Sequence, residues 1–141
     1  MFEVFNVQVN ILAIILATVA VIVIGMLWYS PVLFGNYWLK LIGKKKEELT
    51  MKSTDMVYAT IVALLTVVGI NSILQFSMKV TGLSELVNVI LVAFMTSITI
   101  SATTELNLVI WEGRSKKLFL LNLAHHFVEY LAIGFILAIF I

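Results

Sequence analysis

Apolar residues run along the chain in four long blocks, over residues 8–30, 56–76, 86–111 and 118–141. Each is long enough for a bilayer core, which needs about twenty apolar residues per helix. The first two contain no charged residue, and the third is the most polar. Pro31 closes the first block, because it lacks an N–H and its ring clashes with the preceding turn. Gly82 and Ser84 supply a helix stop and a helix N-cap between the second and third blocks. Gly113 and Ser115 do the same between the third and fourth. Beyond Pro31, Leu33, Phe34, Tyr37, Trp38, Leu41 and Ile42 recur at helical spacing, with Asn36 and Lys40 off the stripe. That segment fits a short helix lying in the membrane interface, its rings at headgroup depth and its lysines in water. It reads as an anchor, or as a lid over an entrance. The pattern predicts an all-α protein: an integral membrane four-helix antiparallel bundle, one domain over residues 1–141, with an interfacial segment at 32–43.

Composition removes the alternatives. Of 141 residues, 62% are hydrophobic and 12% charged, against about a quarter charged in a soluble domain. A net charge of +1 with no clustered basic face gives no reason to expect nucleic acid. Without cysteine there are neither disulfides nor thiolate metal sites. The first block is too long for a signal peptide, follows Glu3 where such a peptide has basic residues, and precedes no small-x-small cleavage site; it is expected to be retained.

Basic residues fix the expected orientation. Lys40, Lys44, Lys45, Lys46 and Lys52 follow the first block, Arg114, Lys116 and Lys117 follow the third, and only Lys79 ends the second. Eight against one places the first and third connections in the cytoplasm, and both termini of a multi-pass cell-membrane protein outside it. Lys44 to Lys46 also suit anionic lipid. Trp28, Tyr29, Tyr37, Trp38 and Trp111 are expected interface anchors, and Glu112 with Arg114 a cytoplasmic turn that pairs or contacts a ligand.

Polar residues inside the spans carry the candidate chemistry. Asn71 and Gln75 stand one turn apart in the second span. Ser97, Ser101 and Thr104 follow at i, i+4, i+7 in the third, near Thr96, Thr99 and Thr103; small hydroxyl residues of this kind let helices pack closely. Asn122, His125, His126 and Glu129 share a face of the fourth span. Glu129 lies about 16 Å along its helix, and Glu105, about 9 Å from its own turn, is level with Asn122, His125 and His126. A charge at that depth is costly unless partnered or wet. Glu105, Asn122, His125, His126 and Glu129 are therefore the expected ion or proton site. His can take and release a proton near neutral pH, and His125, His126 and Glu129 have ligand types and spacing suited to a metal.

Gly25-x-x-Trp28-Tyr29-Ser30-Pro31-x-x-Phe34-Gly35-x-x-Trp38 resembles the first-span signature of a family of small prokaryotic membrane proteins, catalogued as domain of unknown function 1761. So does the run Trp111-Glu112-Gly113-Arg114-Ser115, with Lys117 to Asn122 and His126 beyond it. The resemblance implies four spans and no particular activity or catalytic residue.

Two functions stay open. One is a dimeric transporter or channel component for protons, a cation or a small solute, using the His/Glu cluster. The other is a binding or structural membrane protein in which the cluster only packs helices. No enzyme motif is present, and a metal-dependent enzyme ranks last. No cofactor is required. The expected partners are the lipid bilayer and a second copy of the chain.

Overall fold

The computed structural model describes residues 7–50 and 52–140; Glu3 and the last residue of the fourth block, Ile141, lie outside them. All regular structure among the described residues is helical. Four helical spans are long and apolar enough to cross a membrane: Ile11–Trp28, Ser53–Thr81, Glu85–Glu112 and Lys116–Ala138.

Helix α1 (Ile11–Trp28) starts at Asn10, whose side chain accepts from the Ala13 N–H at 3.1 Å. Three residues past its end the chain doubles back at Pro31. The Ser30 carbonyl accepts from the Gly35 N–H at 2.8 Å, and Trp28 O accepts from Phe34 N at 3.0 Å. A Cβ on Gly35 would collide with the Tyr29 carbonyl oxygen and lie 2.6 Å from the Ser30 carbonyl carbon. Only glycine allows this fold-back, which launches α2 (Gly35–Ile42) across the end of the bundle and onto the last helix.

Helix α3 (Ser53–Thr81) begins with the Asp55 carboxylate accepting from Lys52 N at 2.9 Å and ends at Gly82, whose φ is 63°. Its 29 residues make about 43 Å, more than the roughly 30 Å hydrocarbon layer, so the helix tilts or projects. Its buried residues, Ala63, Val67, Ile70, Asn71, Leu74 and Gln75, form one stripe. The third span is built of α4 (Glu85–Thr96), a π-helical segment (Ser97–Ala102) and α5 (Thr103–Glu112). The last helix, α6 (Lys116–Ala138), is capped by the Ser115 hydroxyl, which accepts from Lys117 N at 3.2 Å.

Helix α6 is the axis of the molecule and packs against every other helix. The core is thin, formed by Ala13, Ala17 and Val21 of α1, the α3 stripe, Val89, Val92 and Ala93 of α4, and Ile133 and Leu137 of α6. Small residues set the spacing. A Cβ on Gly134 would stand 2.7 Å from Val89 Cγ1, so α4 and α6 touch nearly backbone to backbone. Large apolar side chains such as Leu12, Val57, Leu65, Ile90 and Phe94 face outward. An apolar exterior around a small-residue interior is the arrangement lipid stabilises.

The hydroxyl stripe of the third span is shorter than its spacing suggests. Thr96, Ser97 and Ser101 are buried, but Thr99, Thr103 and Thr104 are exposed and bond to carbonyls of their own helix. The π turns hold more residues per turn than an α-helix, so Thr104 falls off the face that Ser97 and Ser101 share.

Candidate functional site

The end of the bundle carrying the eight basic residues also holds the polar cluster. His125 and Glu129 are buried, at 6% and 8% exposure, and face inward from α6. Glu129 divides its carboxylate between two imidazoles. Oε2 lies 3.2 Å from His126 Nδ1, within hydrogen-bond geometry, and Oε1 lies 3.4 Å from His125 Nε2, outside it. Neither ring nitrogen of His125 has a hydrogen-bond partner, and the same is true of the buried Trp28 Nε1.

Rings wall this centre. His125 has the Tyr29 ring at 5.0 Å, Trp28 at 5.5 Å and His126 at 5.5 Å between centroids. Trp38 of α2 packs on Tyr29 at 5.2 Å, and Phe34 on Trp28 at 4.7 Å. On the other side His126 stacks on Tyr130, whose hydroxyl is 2.7 Å from Ser101 Oγ in the π segment. Trp28 and Tyr29 are placed by the packing of α1 on α6, and the fold-back after Pro31 is what brings Phe34 and Trp38 onto them.

Glu105 and Asn122 form a separate chain beside it. Asn122 Nδ2 donates to Glu105 Oε2, and Tyr29 Oη donates to Asn122 Oδ1, each at 3.1 Å. These bonds tie α5, α6 and the end of α1. No hydrogen bond or ion pair joins Glu105 to His125, His126 or Glu129 among the described residues. The five expected residues therefore make two groups that meet at the Tyr29 ring.

A cavity of about 590 Å³ opens between α1, α3 and α6, with His125, His126, Glu129, Tyr29 and Tyr130 on its polar wall and Ile22, Met26, Met56, Val62 and Ala63 among the apolar residues opposite. A second, of about 440 Å³, lies at the opposite end of the bundle and is lined by Gln8, Asn10, Asn71, Gln75 and Lys79, among others. There Asn71 Nδ2 and Gln75 Nε2 donate to the Gln8 carbonyl, and Gln75 Oε1 accepts from Gln8 N at 2.7 Å. That pair holds the segment before α1, and is not a contact between the second and third spans. Between the two cavities Ala17, Val67 and Ile133 are wholly buried.

The remaining expected residues sit at the edges. Tyr37 is exposed and Trp111 is 82% exposed, as interface anchors would be, whereas Trp28, Tyr29 and Trp38 are half-buried in the site wall. Glu112 and Arg114 pair with each other at 2.8 Å in the exposed turn. Sequence reasoning passed over Tyr130, gave Ser101 only a packing role, and met Gly25 only in the family signature. Tyr130 was open to discovery, one turn beyond His126; the depth match of Ser101 to it depends on the π segment.

The family model described as "Protein of unknown function (DUF1761)" matches residues 12–138, nearly the whole chain. No curated protein and no solved structure matches it. Among the residues that carry the resemblance in sequence, Trp28, Tyr29 and His126 pack on the His125 ring, and Phe34, Trp38 and Asn122 contact Trp28 or Tyr29 behind them.

Proposed function

The chain belongs to this family, and we propose that it is a cation-handling membrane protein, a transporter or channel component that takes a proton or small cation onto Glu129 and its two histidines. One observation carries the reading. Glu129 is buried in a spanning helix with only imidazoles beside it, and among the described residues neither Glu129 nor Glu105 forms an ion pair with a lysine or arginine. A buried carboxylate without a fixed countercharge must take a proton or bind a cation, because the desolvation of a lone charge costs several kcal/mol.

The two cavities support passage over mere binding. Each reaches from one end of the bundle toward a packed apolar layer, as an alternating pathway requires. A symmetric dimer would thicken the wall of so small a bundle, and the basic end faces the cytoplasm in this reading. The Glu105–Asn122–Tyr29 chain links three helices by two hydrogen bonds, as a helix clip does, and for that group the structural reading is favoured.

Proteoliposomes test the proposal. Protein reconstituted with an internal pH dye, under an imposed potential, should dissipate a pH gradient or admit a monovalent or divalent cation faster than empty vesicles. Glu129→Gln should reduce the flux to the background. Equal flux from wild type and Glu129→Gln, or none from folded wild type with any of these cations, would refute it.

A further inference from the structure

The same site has the donor set of a transition-metal centre, and we propose that His125, His126 and Glu129 bind one borderline divalent ion of the zinc class. This rests on the cation reading above and narrows it. One ligand atom from each of the three residues lies within 4.8 Å of the others. Donors around a tetrahedral ion with bonds of about 2.1 Å stand about 3.4 Å apart. His125 Nε2 lies 3.4 Å from Glu129 Oε1 and His126 Nδ1 lies 3.2 Å from Glu129 Oε2, so each imidazole reaches that spacing from a different oxygen of the one carboxylate, which would hold the ion with both.

A second observation points to a ligand independently. His125 is buried with both ring nitrogens unpartnered. Leaving such groups unpaired is costly, and coordination at Nε2 would satisfy one of them. The 3.4 Å contact to Glu129 lacks hydrogen-bond geometry but suits two donors sharing an ion.

Chemistry selects the class. Two imidazoles and a carboxylate suit zinc, nickel, iron or copper, whereas calcium and magnesium prefer all-oxygen shells. All three donors come from α6, so the site forms within one helix and the other helices only wall it. The neighbouring phenols are committed elsewhere, Tyr29 to Asn122 and Tyr130 to Ser101. The position facing the cavity is thus left to water or an exogenous ligand, the pattern of a site that exchanges what it holds.

The experiment uses the full chain in lipid nanodiscs, stripped with chelator and titrated with Co²⁺. One Co²⁺ per chain should bind with a visible absorption band of low-symmetry cobalt. Zn²⁺ should displace it, and excess Mg²⁺ or Ca²⁺ should not. His126→Gln and Glu129→Gln should each weaken Co²⁺ by more than about tenfold, with thermal unfolding showing both variants folded. Should either variant fail to fold, X-ray absorption at the zinc edge of loaded wild type decides: imidazole scattering is expected, and its absence overturns the assignment. So does the lack of any band, or undiminished binding in a His125→Gln/His126→Gln double variant. Vesicle flux that persists in metal-free protein, with no Co²⁺ bound, would sink the metal site and leave the proton reading standing; loss of flux and binding together in folded wild type removes both.

Discussion

The clip and the cation site should separate cleanly under mutation, and the clip gives the sharper magnitude. Tyr29→Phe removes the hydroxyl that donates to Asn122 Oδ1, and Asn122→Ala removes that bond together with the one to Glu105. A neutral hydrogen bond nets about 1 kcal/mol, and a stranded polar partner adds about 1–3 kcal/mol. Within membranes the coupling between such groups averages about 0.6 kcal/mol. Tyr29→Phe should therefore cost about 1 kcal/mol. Asn122→Ala should cost about 2–3 kcal/mol, because it strands the Glu105 carboxylate and the phenol together. A double-mutant cycle should show a coupling of about 0.5–1.5 kcal/mol. The assay is reversible unfolding in mixed micelles, read by tryptophan fluorescence, with Co²⁺ binding measured on the same samples. Glu129→Gln should behave oppositely. Its amide can keep the one hydrogen bond, to His126 Nδ1, so stability should change by only about 1 kcal/mol, while the cation response disappears. Strict additivity in the cycle would show that the Tyr29–Asn122 bond does not form. Loss of cation response in Tyr29→Phe, with stability intact, would place Tyr29 in the site chemistry and refute the division.

Other consequences are direct. Gly134→Val should cost about 1–3 kcal/mol or prevent assembly, since a Cβ there already meets Val89 Cγ1 at 2.7 Å; the Val89→Ala/Gly134→Ala pair should recover most of the unfolding midpoint lost in Gly134→Ala. A cysteine at Lys45 should be shielded from a membrane-impermeant thiol reagent in intact cells and one at Ser84 should react; reversed labelling would invert the orientation. Spin labels along α2 should alternate between lipid and water exposure with helical period, and uniform water exposure would contradict an interfacial helix.

The four spans were legible because their signal is length and apolarity, which the bilayer imposes directly. Their ends were legible at Gly82 and Gly113, where positive φ makes glycine the natural stop. The candidate group on α6 could be read from spacing alone, since i, i+3 and i+4 fix a shared face. What spacing could not give was partition. Glu105 is level with the histidines, yet it bonds to Asn122, which Tyr29 holds in turn, a matter of helix rotation that depth arithmetic omits. Nor did the aromatic run at residues 28–38 announce that it closes the site. Its direction depends on the Ser30–Gly35 fold-back, a tertiary contact written in the sequence only as an unexplained glycine. The π segment was equally hidden, because Ser97 to Ala102 reads as ordinary α-helix by period.

The buried polar groups sort themselves by how fully they are satisfied, and that contrast supports the proposed site. Asn88, with no exposed surface, accepts from Ser77 and Thr81 and donates to the Leu83 and Ser84 carbonyls, filling every position its amide has. It clips α3 to α4 across their turn and has nothing left to offer a ligand. Asn71 and Gln75 are likewise engaged with the Gln8 backbone and each other. Both groups look like solutions to the expense of unpaired polar atoms in lipid. At the basic end the accounting does not close: the unpartnered buried side-chain atoms among the described residues are Trp28 Nε1 and both nitrogens of His125, on two rings that pack against each other. The other buried amides are satisfied within the protein, and these atoms are not. Replacing Asn88 by leucine should therefore weaken α3–α4 packing by about 1–3 kcal/mol, through the stranded hydroxyls and carbonyls, while leaving Co²⁺ affinity within about twofold of wild type. A large loss of affinity in a folded Asn88→Leu protein would show that the two ends are coupled, and that saturation alone does not tell scaffold from site.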